Sequence, residues 1–330
     1  MCGPSLITEE QASLIGARTA RFQEVSTSPF GSDDQIGMLN LIDAVSMRAA
    51  LANVNPSKVF DLATDYFTNM PSWTMTGDLG FQIWMSHTPE GTVNDDITGL
   101  GREKNSIVSY SGDSISLYTH TGTHVDTLNH YGYHGKIWNN FSAHDHIGRV
   151  WDVAGADKHP PVIARGLLLD IPATQGATML PDSYGIGRAE LSDALQRQGV
   201  ELRFGDVVLV RTGRMSTWPD QQRYLFDSPG LNREGASFLA ESGAITIGSD
   251  NIGLEQQPAP EGHIWPPVHT YLLAEAGVPM IEVMNLEELA AERVYEFCFV
   301  GACIKLRGAT GAPIRPIAVP FAGSGGIGLP

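Results

Sequence analysis

The segment that most constrains this chain reads His120-Thr-Gly-Thr-His124-Val-Asp126-Thr-Leu-Asn-His130. On an α-helix, His120 and His124 share one face, but Asp126 lies about 200° further round at ~100° per residue. On a flat strand, the two histidines point the same way but lie ~13 Å apart. Metal–ligand bonds of ~2.0–2.2 Å cannot span that distance. The chain must therefore bend, and Gly122 permits the unusual backbone angles that a bend needs.

The bend would bring His120, His124 and Asp126 together as ligands of one divalent metal ion. The alternative is a scatter of surface histidines, since histidine needs no ligand. Seven of the ten histidines fall within about forty residues, which favours the metal site. Zinc suits imidazole ligands and manganese tolerates a mixed histidine and carboxylate set, so the sequence does not choose between them. The seven are His120, His124, His130, His134, His144, His146 and His159.

Composition narrows the classes of partner to small molecules. The 330-residue chain carries a formal net charge of −16, and its isoelectric point is near 4.9. This acidity disfavours nucleic acid and anionic membrane surfaces as partners. Its three cysteines, Cys2, Cys298 and Cys303, have neither zinc-ligand spacing nor the even count of a disulfide framework. We therefore expect free thiols in a reducing cytoplasm, with no signal peptide and no membrane span.

Alternating helical and strand patterns in the second half predict an α/β fold, and the sequence has no clear linker, so one domain is expected. Residues 69–105 are either a lid over a pocket or a decorated surface hairpin. Residues 1–30 are predicted to form a helical arm and residues 308–330 a Gly/Pro-rich tail. The G-x-G-x-x-G match at 323–328 is rejected as a phosphate site, because no helix can follow it. The predicted strands are 162–171, 207–211 and 244–250, and the predicted helices are 187–199, 233–242 and 268–276.

The metal-site segment resembles the signature His-x-Gly-Thr-His-x-Asp-x-Pro-x-His of the "putative cyclase" family of metal-dependent hydrolases. That family includes bacterial kynurenine formamidase, isatin hydrolase and trans-dienelactone hydrolase. The one departure is Leu128, where the family usually has proline. A second similarity joins Gly248-Ser-Asp250 to His269 and Glu282. The resemblance covers about residues 58 to 306.

The resemblance implies a single compact swivelling β/β/α-type domain with a β-rich core and flanking helices, which forms a homodimer or a higher homo-oligomer. It assigns His120, His124 and Asp126 to a first divalent metal. It assigns three further residues either to a second metal site or to acid–base catalysis, so that one or two ions bind per chain. Those three are His130, His269 and Glu282.

The predicted chemistry is hydrolysis by a metal-activated water, whose pKa falls from ~15.7 to about 7 on coordination. We expect a hydrolase that opens a C–N or C–O acyl bond in a small cyclic or aryl amide, formamide or lactone. His130, Glu282 and His269 are the candidates for proton transfer. Phe81 and Trp84 are candidates for an aromatic substrate wall, with core packing as the alternative. Two other functions stay open: cyclase- or dehydratase-type acyl transfer on the same metal, and non-catalytic metal or ligand binding.

The remaining histidines and serines near these motifs are expected to be structural. His134, His144 and His146 fall in polar segments that are typical of solvated loops. The chain has no Gly-x-Ser-x-Gly elbow, and Ser249 in Gly248-Ser-Asp250 is expected in a turn. A serine nucleophile is therefore not predicted.

Overall fold

The computed structural model describes residues 23–74, 77–260 and 266–322, together with residues 10, 13 and 14. Nine of the thirteen strands in this part of the chain form one mixed sheet, and the other four form two small two-stranded sheets. The strands are β1 (Phe60–Asp61), β2 (Gln82–His87), β3 (Gly112–Ser116), β4 (His124–Asp126), β5 (Val162–Asp170), β6 (Gly185–Ile186), β7 (Val207–Arg211), β8 (Gly230–Leu231), β9 (Thr246–Ser249), β10 (Met280–Glu282), β11 (Glu296–Gly301), β12 (Gly311–Pro313) and β13 (Ile317–Pro320).

Four parallel strands, β5, β7, β9 and β10, are neighbours within the large sheet, whose order is β1-β13-β11-β5-β7-β9-β10-β4-β12. β7 and β9 are buried along their whole length, as expected of parallel strands that are covered on both faces. β4 pairs antiparallel with both β10 and β12. Ligands of α/β proteins bind beyond the carboxyl ends of parallel strands, and Glu282 is the last residue of β10.

Helices flank the sheet and follow the capping signals of the sequence. They are α1 (Ala44–Ala52), α2 (Pro89–Asn94), α3 (Arg102–Asn105), α4 (Ala143–His146), α5 (Ile171–Thr174), α6 (Arg188–Gln198), α7 (Gln221–Leu225), α8 (Arg233–Glu241), α9 (Pro267–His269) with a π-helix (Thr270–Ala276) after it, and α10 (Glu287–Ala291), with 3-10 turns at Gly37–Leu41, Trp138–Asn140 and Arg214–Thr217. α1 and α6 contact β5. α6 ends at Gly199, whose φ of +67° glycine adopts at low cost. Among the described helices, none is long and apolar enough to cross a membrane.

The structure confirms the predicted α/β class, and the predicted elements of the second half are present with ends that differ by at most two residues. The hairpin alternative is present from residue 82 onwards, because β2 pairs with β3 and the two strands carry α2 and α3 between them. The predicted tail is wrong for residues 308–322, since β12 and β13 pair within the large sheet. The N-terminal arm lies largely outside the described residues, and the G-x-G-x-x-G segment lies wholly outside them.

A partly buried histidine, His159, lies beside the hydrophobic core. His159 lies beside Leu39, Leu128 and Pro279, and neither of its buried ring nitrogens has a partner among the described residues. Burial lowers the pKa of His159 from 6.5 to about 4. The ring is therefore neutral in the folded protein at neutral pH.

We expect His159 to make the fold sensitive to acid. The unfolded chain binds this proton at a pKa near 6.5 and the folded chain only at about 4. Stability is therefore complete above the unfolded pKa and is lost as the pH falls towards the folded value. The loss is about 3 kcal/mol, at ~1.4 kcal/mol per pKa unit.

Urea unfolding at neutral pH and at about pH 4.5 measures this effect. His159→Leu should lose less stability on acidification than the wild type, because a leucine cannot take up a proton in either state. His144→Gln, at an exposed histidine, should lose as much as the wild type. Equal losses in all three proteins would contradict the expectation.

Candidate metal centre

The pairing of β4 with β10 places three of the predicted site residues on one face of the large sheet. In this antiparallel register, His124 lies opposite Glu282, and Asp126 lies opposite Met280. His124 and Asp126 are two residues apart on one strand, so their side chains point to the same side. Residues directly opposite on neighbouring strands also share a face. Glu282 therefore joins His124 and Asp126 although it is distant in sequence.

Gly122 makes the bend that the motif requires, as predicted. Its φ is +62°, and a Cβ atom at this position would lie 2.7 Å from Cζ of Tyr66. The Tyr66 hydroxyl donates a hydrogen bond of 2.7 Å to the carbonyl of Thr123. Thr123 Oγ1 in turn donates to the carbonyl of Val283 at 2.6 Å. These contacts fix the turn and let His120 fold back towards β4.

Four imidazoles surround the buried carboxylate of Asp126. Its Oδ1 atom lies 2.6 Å from His120 Nδ1 and 3.2 Å from His124 Nε2. Its Oδ2 atom lies 3.8 Å from His130 Nε2 and 3.6 Å from His269 Nε2. The bent segment and the start of α9 thus converge on one side chain.

Glu282 closes the cluster from β10. Its Oε1 atom lies 3.1 Å from His269 Nε2, and its Oε2 atom lies 3.6 Å from His124 Nε2. The backbone N–H of Gly253 donates to Oε2 at 3.0 Å and fixes the carboxylate. All six residues that the sequence put forward as metal ligands or acid–base groups therefore meet in one place.

The donor atoms form two overlapping groups that share Asp126. One group is His120, Asp126 and His130, and the other is His124, Asp126 and Glu282; within each, all donor atoms lie within 4.8 Å of one another. The family resemblance divides the same residues differently, with both His120 and His124 in the first set. In the structure, His120 makes hydrogen bonds through both ring nitrogens. Of these two histidines, only His124 therefore has a ring nitrogen, Nε2, that is free to bind a metal.

Three buried atoms of the cluster make no hydrogen bond with any described residue: His124 Nε2, Asp126 Oδ2 and Glu282 Oε1. Each such atom costs about 1–3 kcal/mol when nothing satisfies it, although Glu282 Oε1 lies within ion-pair distance of His269 Nε2, at 3.1 Å. His124 Nδ1 lies 2.8 Å from the carbonyl oxygen of Gly122. A carbonyl only accepts, so Nδ1 carries a proton. Burial opposes a second proton on the ring, but Asp126 and Glu282 outweigh burial and raise the pKa of His124; a cation that binds Nε2 takes the place of that second proton. The residues present therefore fit a divalent cation.

Glu255 holds His269 in place and was not predicted from the sequence. Its carboxylate hydrogen-bonds His269 Nδ1 and accepts from the backbone N–H groups of Val268 at 3.2 Å and His269 at 3.3 Å. These N–H groups belong to the first turn of α9, where free donors favour an anion. The contact turns His269 Nε2 towards Asp126 and Glu282. No spacing rule links Glu255 to a histidine 14 positions later, so the sequence held no signal for it.

Glu282 and Glu255, two of the three carboxylates near His269, each adjoin a strained backbone position. Val283 directly follows Glu282 with a φ of +56°, and Leu254 directly precedes Glu255 with a φ of +55°. Left-handed angles at bulky residues cost about 1–3 kcal/mol each and persist only where the surroundings hold them. The Val283 N–H donates to the carbonyl of Asn251 at 3.1 Å. Strain of this kind is concentrated at functional sites.

The pKa values of His130 and His269 shift in opposite directions within the cluster. Burial and the neighbouring His120 ring hold the pKa of His130 well below its usual value. Burial opposes protonation of His269 as well, but the hydrogen bond and charge of Glu255, assisted by Glu282, raise its pKa well above the usual value. His130 is neutral and His269 protonated over the same pH range, which is the pattern of a base and an acid. Their ring centroids are 6.2 Å apart.

A cavity of about 220 Å³ opens onto the cluster. Three aromatic side chains line it, namely Trp73, Tyr118 and Tyr131, together with Asp78 and Gln257. A larger hollow of about 930 Å³ adjoins α1 but has no histidine among its lining residues. The chemistry of the lining residues, rather than volume, therefore identifies the smaller cavity as the candidate site.

The prediction for the substrate wall is wrong, since neither Phe81 nor Trp84 lines this cavity. Phe81 is buried against Tyr66, with ring centroids 5.6 Å apart. Trp84 lies on β2 with 51% of its surface exposed. β2 belongs to the separate hairpin rather than to the sheet that carries the cluster. The apolar residues of β2 do not indicate in the sequence which of the two sheets the strand joins.

The other histidines lie outside the cluster. His134 is exposed, and the side chain of His144 is 93% exposed. His146 pairs with Asp152 at 2.8 Å. None of the three lines the cavity. The expectation of solvated loops is wrong for His144 and His146, which lie on α4, and His146 is only partly exposed. His263 lies outside the described residues.

Comparison with known proteins places the chain beside metal-dependent hydrolases and cyclases. The profile of the Cyclase family, described as "Putative cyclase", matches residues 60–256. Among curated proteins, none matches the sequence significantly.

Solved structures extend the similarity over most of the chain. A protein described as a novel cyclase superposes with a TM-score of 0.77 at 29% identity, over 88% of this chain and 97% of its own. Isatin hydrolase A from Ralstonia solanacearum has a TM-score of 0.61 at 19% identity, over 84% of this chain and 96% of its own. A predicted metal-dependent hydrolase from Bacillus stearothermophilus has a TM-score of 0.51 at 20% identity, over 79% and 97% respectively. At 19% and 20% identity, the similarity to the last two structures shows only a shared fold.

Proposed function

Because this chain belongs to the cyclase family, we propose that it is a metal-dependent hydrolase. In this proposal it opens a C–N or C–O acyl bond in a small cyclic or aryl amide, formamide or lactone. The observation that carries the proposal is the set of three buried, unpaired donor atoms on His124, Asp126 and Glu282. These atoms lie beside an imidazole pair with opposite pKa shifts.

The residues that would hold the metal are His124, Asp126 and Glu282. A second ion at His120, Asp126 and His130 would have to replace a hydrogen bond that His120 makes through one of its ring nitrogens. The first set offers one nitrogen and two carboxylates and suits manganese, whereas the second offers two nitrogens and suits zinc. When bound, a divalent ion lowers the pKa of a coordinated water to about 7 and polarises the acyl carbonyl.

His130 and His269 divide the proton transfers between them. The neutral ring of His130 accepts the proton of the attacking water, and the protonated ring of His269 donates a proton to the leaving nitrogen or oxygen. Glu255 keeps His269 protonated and fixes its orientation through Nδ1. Both rings line the cavity in which the substrate would lie.

The cavity supports a small, flat substrate. Its volume of about 220 Å³ and its ring-bearing walls at Trp73, Tyr118 and Tyr131 match an unsaturated or aromatic ring that stacks on aromatic faces. The proposal places the enzyme in the cytoplasm, which the free thiols of Cys298 and Cys303 support.

A substrate panel tests the proposal. Purified protein with added Zn²⁺ or Mn²⁺ is assayed against an N-formyl arylamine, an isatin-like lactam and an unsaturated lactone. Hydrolysis of at least one is expected, because the cavity admits a single small ring and the cluster supplies both proton-transfer groups. Ring closure of the matching open-chain acid, without hydrolysis, would assign the chain to acyl transfer. No reaction with any compound would contradict the proposal and favour a binding protein.

Glu255→Gln should change the pH dependence of the reaction as well as its rate. The substitution removes the charge that raises the pKa of His269, so the acid loses its proton at a lower pH. The alkaline limb of the kcat/KM profile should therefore move to lower pH, and kcat/KM should fall by about 10–100-fold.

Glu275→Gln serves as the matched control, since Glu275 is a buried glutamate that pairs with Arg233 outside the cavity. This variant should keep the wild-type profile, and thermal unfolding shows whether both variants fold. An unshifted alkaline limb in Glu255→Gln would rule out His269 as the acid.

A further inference from the structure

The cavity over the candidate metal centre is lined by acidic side chains and by no lysine or arginine. Four carboxylates line it, namely Asp78, Asp126, Glu255 and Glu282, and no Lys or Arg is among its described lining residues. The three unpaired buried donor atoms of the cluster belong to residues that line the same cavity. The cavity is therefore built to take a ligand, and the charge of its lining bears on which ligands it admits.

Asp78 differs from the other three carboxylates in its position. Asp126 and Glu282 belong to the metal-binding set and would balance the charge of one divalent ion. Glu255 hydrogen-bonds His269. Asp78 belongs to neither group: it is partly exposed and precedes β2 in the chain. Its charge therefore remains in the cavity lining after the metal site and the Glu255–His269 pair are accounted for.

The charge of Asp78 reaches the interior of the cavity. Burial raises the pKa of the Tyr118 hydroxyl to about 12, and the charge of Asp78 contributes next, ahead of Asp126 and Glu282. Tyr118 itself lines the cavity. A negative charge that disfavours an ionised tyrosine also disfavours any other anion at the same place.

We propose that Asp78 makes the candidate site selective for uncharged substrates and unfavourable for carboxylates, an inference that rests on the proposed hydrolysis. Among the candidate substrates, it favours lactams, formamides and lactones without a carboxylate group. Like charges repel more strongly in a confined cavity of low dielectric than in water. Repulsion of this kind is a common means of rejecting the wrong ligand.

The same selectivity separates the substrate from its product. In the proposed reaction the oxygen of water bonds to the acyl carbon, the C–N or C–O bond breaks, and the leaving atom takes up a proton. The acid that forms loses its remaining proton at neutral pH, since carboxyl groups titrate near pH ~4. A neutral substrate thus becomes an anion inside the cavity, and the charge of Asp78 favours its release.

Kinetics with paired substrates test the proposal. An unsaturated lactone and the same lactone with a carboxylate substituent are compared in the wild type, Asp78→Asn and Asp78→Glu, each loaded with Zn²⁺ or Mn²⁺. The ratio of kcat/KM for the anionic over the neutral lactone should rise about 10-fold in Asp78→Asn, because the repulsion is removed. The hydrolysis product should also inhibit this variant at a lower concentration. Asp78→Glu keeps the charge and should keep the wild-type ratio.

Asp157→Asn is the matched control, since Asp157 is also a partly exposed aspartate but does not line the cavity. It should leave the ratio of the two lactones unchanged. Raising the ionic strength from about 0.02 M to about 0.5 M should reduce the difference between the wild type and Asp78→Asn, because salt screens a partly exposed charge. A merely structural role of Asp78 would not depend on salt in this way, and circular dichroism shows whether each variant folds.

Binding of benzamide and benzoate, measured by calorimetry on the metal-loaded protein, tests the same charge without turnover. The two flat probes share a ring and differ in charge, and the ratio of Kd for benzoate over benzamide should fall about 10-fold in Asp78→Asn. Failure to hydrolyse either lactone would contradict the proposed function, while the binding ratio would still decide the role of Asp78. An unchanged binding ratio in Asp78→Asn, or an equal change in Asp157→Asn, would overturn the proposal, as would a wild-type protein that binds neither probe.

Discussion

The buried carboxylate of Asp126 is the point at which the other parts of the site meet. Burial opposes its ionisation, but the imidazoles of His130 and His120 outweigh burial and hold the pKa of Asp126 well below its usual value. A carboxylate in such a position is tolerated only where cations and hydrogen bonds surround it. The register of β4 on β10 provides them, because a slip of one residue would turn Asp126 and His124 to the opposite face of the sheet.

The same arrangement works against the stability of the fold. Unpaired donor atoms remain on three buried side chains, and left-handed backbone angles are held at Val283 and Leu254. Structure of this kind costs several kcal/mol in total, at about 1–3 kcal/mol for each feature. A cation that binds only the folded chain offsets part of this cost, so metal binding and folding are coupled. The well-packed parallel strands of the central sheet supply the remaining stability.

The sequence was informative where the chemistry is local and uninformative where it depends on distant pairing. His120, His124 and Asp126 lie on one short segment, so their spacing alone required a bend at Gly122, and the structure has it. Glu282 and His269 came only from a family resemblance, since nothing in the spacing joins them to β4. Glu255 was missed because its contact with His269 depends on the path of a loop.

β12 and β13 were taken for a tail because their Gly/Pro-rich composition resembles a loop, whereas their pairing with β4 and β11 is non-local. Trp84 was placed in the pocket because an apolar strand residue has the same pattern whether it faces a cavity or solvent.

The metal content of the purified protein tests the central claim most directly. Wild-type protein, His124→Ala and His144→Ala are dialysed against Zn²⁺ or Mn²⁺, freed of excess metal and measured by elemental analysis alongside hydrolytic activity. The account predicts one or two ions per chain in the wild type and in His144→Ala, because the side chain of His144 is exposed and outside the cluster. It predicts loss of both metal and activity in His124→Ala, whose imidazole presents the free donor atom. An active wild-type protein without metal, or a His124→Ala variant with full metal content, would contradict it.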